Sequence, residues 1–194
     1  MSRFPELPSS LPRRGNSFSK FAARMLLTLA GWRVAGEFPD QPKMVIIVAP
    51  HTTNWDFVVG ILAVFALGLG VRYLGKDTLF RPPLGGLMRW LGGTPVVRHT
   101  PQGAVGDAAE MIAREDKVAL AIAPEGTRTA GKAWRSGFYN IALAAKVPIL
   151  PAAFDYPGKA VRLFPMFEPT GNYEADLARL QSCYAEIRRR DTRA

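Results

Sequence analysis

The residues best suited to proton-transfer chemistry are His51 and Asp56, which have four residues between them. An imidazole that is held by a carboxylate on one ring nitrogen presents its other nitrogen, unprotonated, to a substrate hydroxyl. Such an imidazole can take a proton from an alcohol while the alcohol oxygen attacks an electrophile. The pair therefore predicts a general base in which Asp56 orients His51.

The local sequence predicts that this pair lies in a turn between a strand and a helix. The run from Val45 to Val48 is aliphatic and β-branched, which is typical of a buried strand, and it stops before Pro50. Thr53 is followed by a carboxylate three residues later, a pattern typical of a helix start. A purely structural interpretation stands beside the catalytic one. In that interpretation Asp56 only caps the helix and His51 is an ordinary turn residue.

A second group of chemically useful residues follows another predicted strand. It consists of Glu125, Gly126, Thr127 and Arg128. The glycine allows a ligand to approach the backbone closely, and the planar guanidinium of Arg128 suits a phosphate group. Glu125 is expected either to hold that arginine or to accept a hydrogen bond from a substrate. The alternative is a surface turn with an incidental Glu/Arg pair.

Two basic residues, Lys76 and Arg81, lie between these groups and close to a predicted turn. Their cationic side chains can line an anion site. Lone basic residues near a turn are also commonly solvated surface residues. The sequence leaves both interpretations open.

Length and composition limit the classes of protein that are possible. A chain of 194 residues predicts one domain with a hydrophobic core. The 25 basic and 16 acidic residues give a formal net charge of +9, which predicts an anionic partner. Cys183 is the single cysteine, so the chain cannot form an internal disulfide. The two histidines belong to no metal-binding pattern, and we predict neither a metal nor a cofactor.

The basic excess is strongest in residues 1–36, which contain six basic residues and one acidic residue. Residues 1–16 are rich in proline and predict an extended leader. From Ser17, apolar residues recur at spacings of three and four, as expected for an amphipathic helix: Phe18, Phe21, Met25, Leu29 and Trp32. This helix is expected either to pack on the domain or to lie in the headgroup region of an anionic membrane surface.

Predicted strands and helices alternate in residues 37–194, which we assign to the main domain. Strands are predicted at 45–48, 71–74, 94–98, 118–122, 148–154 and 160–164. Helices are predicted at 57–68, after Pro82 or Pro83, and at 100–115, 136–146 and 173–190. This alternation predicts the α/β class, with a mostly parallel mixed sheet flanked by helices. The apolar run at 57–71 is shorter than the roughly 20 residues of a membrane span, so we expect a buried helix there.

Together these blocks resemble the glycerolipid acyltransferase family, whose members include the 1-acylglycerol-3-phosphate acyltransferases. The resemblance rests first on His-x4-Asp at His51 and Asp56 and on Glu-Gly-Thr-Arg at 125–128. The further blocks are Lys76 with Phe80-Arg81 and Gly86-x-Met88, and Val147-Pro-Ile-Leu-Pro151. They occur in the family's order and cover roughly residues 44–155.

The resemblance implies transfer of a fatty acyl group from acyl-CoA or acyl-carrier protein to the hydroxyl of a lysophospholipid, with 1-acylglycerol-3-phosphate as the first candidate, at the cytoplasmic face of the membrane. His51 would be the general base and Asp56 its orienter. The Glu-Gly-Thr-Arg block would hold the acceptor's phosphate together with Lys76 and Arg81, with Arg98 as a weaker candidate. No acyl-enzyme is expected, since no GxSxG motif occurs. Backbone N–H groups near the helix start at residue 53 would then meet the developing oxyanion.

Two departures from the family pattern leave the acceptor open. Pro50 and Thr53 stand where lysophosphatidate enzymes commonly carry Asn and Ser. The first alternative is the same chemistry on an ornithine lipid, another amphiphile or a secondary-metabolite alcohol. The second is a non-catalytic basic protein that binds membrane or nucleic acid. Nucleic-acid binding is disfavoured because no helix-turn-helix, RRM or zinc signature occurs.

Overall fold

The computed structural model describes residues 3–51, 53–96, 101–126, 133–185 and 187. Within them the strands are β1 (Arg33–Ala35), β2 (Lys43–Val48), β3 (Val71–Lys76), β4 (Gly93–Val96), β5 (Val118–Ile122), β6 (Ile149–Asp155) and β7 (Ala160–Leu163). They form one sheet in the order β1-β7-β6-β2-β5-β3-β4. Only the pairing of β6 with β7 is antiparallel. The predicted α/β class, with a mostly parallel mixed sheet, is confirmed.

Helices cover both faces of this sheet. They are α1 (Ser17–Leu29), α2 (Asn54–Leu67), α3 (Gly85–Trp90), α4 (Pro101–Arg114), α5 (Gly137–Ala145) and α6 (Tyr173–Ser182). A short 3-10 helix at Asp77–Phe80 precedes α3. α2 ends where predicted, because Gly68 adopts a left-handed conformation (φ +73°) that stops the helix.

Alternating side chains of the central strands fill two separate hydrophobic cores. Met44 and Ile46 of β2 point into the core beneath α1 and α2. Val45 and Ile47 point to the opposite face and into the core beneath α4, α5 and α6. Successive side chains of a strand point to opposite faces, so a strand buried on both sides is apolar at every position. This explains the uninterrupted aliphatic run before Pro50.

The N-terminal residues are part of the first core. Phe4, Leu7 and Leu11 are buried there. α1 packs against α2, burying Ala23 and Leu27. The apolar residues predicted to form one line are mostly on the other side of α1: Phe18 and Leu29 are both 78% exposed. α1 therefore packs on the domain and also presents an apolar face to solvent.

Several element boundaries differ from the prediction. β1 was not predicted, because three residues are too few to show a periodic pattern. α3 begins at Gly85, two residues beyond the later of the two prolines expected to open it. α6 ends at Ser182, whereas the prediction ran to 190. Among the helices in the described part of the chain, none combines the length and apolar character that a bilayer crossing requires.

Candidate active site

The turn between β2 and α2 brings His51 and Asp56 together. Nδ1 of His51 lies 3.5 Å from Oδ2 of Asp56, which makes the contact an ion pair when the imidazole is protonated. The carboxylate is fully buried, whereas the imidazole side chain is 21% exposed. Hydrogen bonds of catalytic groups are often long before a substrate binds. The arrangement lets a buried acid orient a base that remains accessible.

Asp56 also caps α2, as the purely structural interpretation predicted. Its Oδ2 accepts a hydrogen bond from the backbone N of Thr53 at 2.7 Å, and its Oδ1 accepts from Thr53 Oγ1 at 3.2 Å. The Thr53 N–H is therefore engaged and cannot stabilise an oxyanion. The oxyanion donors predicted near residue 53 therefore do not include this N–H. The hydroxyl of Tyr156 also donates to Oδ1.

Glu125 connects the second motif to the first. Its side chain is buried, and its Oε2 accepts a hydrogen bond from the backbone N of His51 at 3.1 Å. The two motifs meet because β2 and β5 are paired in parallel and their carboxyl ends lie at one edge of the sheet. Glu125 therefore helps to fix the main chain that carries the imidazole.

Gly126 adopts a left-handed conformation (φ +65°), and an exposed arginine lies directly over it. A β-carbon at Gly126 would be 3.2 Å from Cδ of Arg135. Arg135 is itself fixed by a hydrogen bond from its backbone N to Pro124 O at 2.9 Å. A guanidinium therefore lies beside the Glu-Gly turn.

The other residues predicted to bind an anion have different positions. Lys76 is exposed at the end of β3, at the same edge of the sheet as His51 and Glu125. Arg81 is exposed and pairs with Asp77 at 3.2 Å. The remaining residues predicted to bind the anion, Arg98, Thr127 and Arg128, lie outside the described residues.

An apolar cavity of about 210 Å³ lies between α2 and the sheet, and His51 and Asp56 are among its lining residues. α2 contributes residues from Asp56 to Leu67, so the cavity follows the helix over about 16 Å. Its volume exceeds the ~150 Å³ of an apolar cavity that holds benzene. Burial raises the pKa of Tyr73, a residue of the cavity wall, and the positive charge of Arg14 opposes this shift.

Sequence reasoning missed Tyr156 and Arg135. Tyr156 directly follows β6, which is paired with β2 in parallel, so it lies at the sheet edge that carries His51. A polar residue at that position was a usable signal, but the predicted strand was ended at Phe154. Arg135 gave a weaker signal, since it is one basic residue before a predicted helix.

A family model described as acyltransferase matches residues 33–155, which include β1, both motifs and β6. The chain belongs to the acyltransferase family. This confirms the resemblance to glycerolipid acyltransferases that the motifs indicated.

Two curated relatives and one crystal structure extend this comparison. The chain is 27% identical to the 1-acyl-sn-glycerol-3-phosphate acyltransferase of Escherichia coli K12 over 168 residues, covering 82% of this chain and 65% of that protein. It is 27% identical over 143 residues to the enzyme of the same name from Streptococcus pneumoniae, covering 69% of this chain and 53% of that one. The chain thus spans between about half and two thirds of these relatives' length. The crystal structure of the acyltransferase PlsC from Thermotoga maritima has the same fold, with a TM-score of 0.57 and 17% identity over 89% of this chain and 80% of that chain.

Proposed function

We propose that this acyltransferase moves a fatty acyl group from acyl-CoA or acyl-carrier protein to the hydroxyl of a lysophospholipid, with 1-acylglycerol-3-phosphate as the acceptor. The observation that carries the proposal is that the His51–Asp56 pair borders an apolar cavity. A general base beside an apolar cavity suits the attack of an alcohol on a fatty acyl thioester. The names of the two curated relatives support the same acceptor.

In the proposed reaction, Asp56 holds Nδ1 of His51, and Nε2 accepts the proton of the acceptor hydroxyl. The alcohol oxygen bonds to the thioester carbonyl carbon, the carbon–sulfur bond breaks, and the thiolate leaves with the proton from His51. The amino end of α2 begins at this turn, so its helix dipole would favour the negative charge that develops on the carbonyl oxygen.

The cavity beneath α2 would hold the fatty acyl chain. Its walls are almost entirely apolar, and its length along α2 suits an extended hydrocarbon chain. Burying methylene groups there would supply binding energy of about 0.8 kcal/mol each. The acyl carbon would then lie at the mouth of the cavity, where His51 is.

The acceptor's phosphate would be bound outside the cavity, at the edge of the sheet. The Glu-Gly-Thr-Arg block and the exposed cations Lys76 and Arg81 are the proposed groups, and the position of Arg135 over Gly126 adds a further guanidinium. A planar guanidinium can donate two parallel hydrogen bonds to a phosphate.

The membrane is the proposed location of both lipids. α1 presents Phe18, Phe21 and Leu29 to solvent and carries basic residues, as expected for a helix that lies in an anionic headgroup layer. We place the protein on the cytoplasmic face of the cell membrane, bound peripherally or monotopically.

The proposal is tested by offering the purified protein a panel of lysolipid and other amphiphilic alcohol acceptors with acyl-CoA and with acyl-carrier protein. Products are identified by mass spectrometry. We expect a diacyl product from 1-acylglycerol-3-phosphate, and a loss of about 10²- to 10⁴-fold in rate for His51→Ala, which removes the base. Asp56→Asn should also lose most of the rate.

Asp107→Asn is the matched control, because it removes an exposed carboxylate from α4 and should leave the rate unchanged. Full turnover by His51→Ala would refute the proposed base. A product from another acceptor alone would move the assignment to that alcohol. Vesicle or polynucleotide binding without any transfer would favour a non-catalytic protein.

A further inference from the structure

The hydroxyl of Tyr156 belongs to the polar network around Asp56, beneath the imidazole. It donates to Oδ1 of Asp56 and lies 3.4 Å from Oγ1 of Thr53. Asp56 Oδ2 is the oxygen that faces Nδ1 of His51. Tyr156 therefore donates to the carboxylate oxygen other than the one that faces the imidazole.

The turn that carries Tyr156 is held from the sheet side. It connects β6 to β7, and Asp155 closes it by accepting hydrogen bonds from Gly158 N at 3.0 Å and from Arg162 Nε at 2.7 Å. Asp155 is itself buried. These bonds fix the backbone on which the Tyr156 ring is mounted.

The same turn is also held by the segment that joins α1 to β1. Lys159 Nζ donates to Ala30 O at 3.1 Å, and Arg33 donates from its backbone N to Lys159 O at 3.0 Å. The ring of Trp32, which is buried, contacts the ring of Tyr156 edge to face, with centroids 5.2 Å apart. The segment that follows α1 therefore supports Tyr156.

We propose that Tyr156 is a positioning residue for the acyl-transfer reaction: its hydroxyl fixes the carboxylate of Asp56 and, through it, the orientation and basicity of His51. The inference rests on the proposed function. Titratable side chains in contact with the His51–Asp56 pair include Glu125 from the segment after β5 and Tyr156 from the β6–β7 turn.

The charges determine in which direction the pKa of His51 moves when the Tyr156 hydroxyl is removed. A hydrogen bond donated to a carboxylate draws part of its negative charge away from its other partners. Without the Tyr156 hydroxyl, Asp56 stabilises protonated His51 more strongly. The neutral base then forms only at higher pH, and it is held in position less firmly.

The test is Tyr156→Phe, which retains the ring and its contact with Trp32 and removes only the hydroxyl. Tyr173→Phe is the matched control, because Tyr173 lies on α6 at the opposite face of the sheet and its hydroxyl contacts Trp134 O at 3.4 Å. We expect kcat for Tyr156→Phe to fall roughly tenfold or more with little change in KM. The acid limb of its pH–rate profile should move to higher pH.

A second measurement is independent of turnover. The chain has two histidines, so the imidazole signals of His51 can be followed by NMR during a pH titration and assigned with His51→Ala. We expect the pKa of His51 to rise in Tyr156→Phe and to stay at the wild-type value in Tyr173→Phe. An unchanged His51 titration, or an unchanged kcat in an active enzyme, would overturn the proposal. Failure of the wild-type protein to transfer acyl groups would instead refute the proposed function. The NMR titration would still show whether the Tyr156 hydroxyl acts on His51.

Discussion

Glu125 is a buried carboxylate that fixes the main chain carrying His51. Its Oε2 accepts the backbone N–H of His51, and the side chain is almost completely removed from solvent. A buried polar group left without its partner costs about 1–3 kcal/mol, so the bond strongly favours the observed turn. The carboxylate also places a negative charge near the imidazole.

Substitutions at Glu125 separate these two effects. Glu125→Gln keeps an oxygen that can accept the His51 N–H, whereas Glu125→Ala removes it. If the hydrogen bond is what matters, kcat/KM should fall about tenfold or more in the alanine variant and much less in the glutamine variant. Steady-state kinetics measure kcat/KM of the two variants, and thermal unfolding curves measure their stability. Equal losses in the two variants would show that the charge, and not the hydrogen bond, is essential.

For individual residues, the sequence predicted the pairing of His51 with Asp56, since both belong to one short turn. It could not predict that Glu125 would hold His51, because this contact joins residues 74 positions apart and depends on the pairing of β2 with β5. Tyr156 lies at the same edge of the sheet, but the predicted strand ended at Phe154. Spacing in sequence reveals local contacts, whereas contacts across the sheet follow from strand order.

Among the elements, α2 contributes to two features, since Asp56 in its first turn contacts His51 and its length lines the cavity. Gly60 lies in the middle of the helix and in the cavity wall. A β-carbon there would be 3.4 Å from Cζ of Phe154, an ordinary contact, so larger side chains extend toward space that the cavity occupies. The absence of a side chain at this position keeps the cavity wide.

Gly60→Leu should therefore narrow the cavity and change the preference for acyl chain length. We expect kcat/KM for long-chain donors to fall at least tenfold relative to short-chain donors, because one excess methylene in a pocket already changes discrimination by about 10- to 200-fold. The measurement is a series of acyl-CoA donors of increasing chain length.

Gly106→Leu is the control for this change. Gly106 also lies inside a 14-residue helix, but nothing is within 4 Å of a β-carbon there. Both substitutions should stabilise their helices by up to about 1 kcal/mol, since glycine is a poor helix former. An identical chain-length preference in the two variants would contradict the assignment of the cavity to the acyl chain.

The elements were predicted best where sequence periodicity is strong and tertiary contacts agree with it. β2, α2 and β5 were located closely because each has a long apolar pattern and a clear end. The exposed side of α1 was less predictable. Its apolar line points to solvent while the small side chain of Ala23 packs on α2, and the hydrophobic pattern alone cannot show which face a neighbour covers.

For the whole molecule, exposed apolar side chains collect on the side of the sheet covered by α1, α2 and α3. They include Phe18, Phe21, Trp55, Leu84, Leu87 and Trp90. α3 adjoins α2 through the stacked rings of Phe65 and Trp90. Together with the net charge of +9, this distribution supports binding to an anionic bilayer by the side that contains the cavity.

Replacing Phe18 and Phe21 together by glutamate should weaken binding to vesicles of phosphatidylcholine and phosphatidylglycerol at least tenfold, since each buried phenylalanine contributes about 1.5–3 kcal/mol. Raising the ionic strength from about 0.1 to about 1 M should weaken binding of the wild-type protein, because the Debye length falls from about 10 to about 3 Å. Vesicle co-sedimentation measures both effects.

Leu143→Glu provides the control, because Leu143 is 37% exposed on α5, at the opposite face of the sheet. The Leu143→Glu variant should bind vesicles like the wild type. Equal losses of vesicle binding in this variant and in the variant with Phe18 and Phe21 replaced would argue against a specific membrane face. Deleting residues 1–34 is a poorer test. It would also remove Phe4, Leu11 and Trp32 from the core.

The contacts of His51 and Asp56 with Glu125 and Tyr156 span 74 and 100 positions of the chain. A nascent chain leaving the ribosome therefore cannot complete the reactive centre until the β6–β7 hairpin has been synthesised. Pairings between distant segments form slowly, because the entropy of closing long loops must be overcome first. During refolding, acyl transfer should thus return only after helical circular dichroism has recovered, which makes enzymatic activity a late reporter of correct assembly.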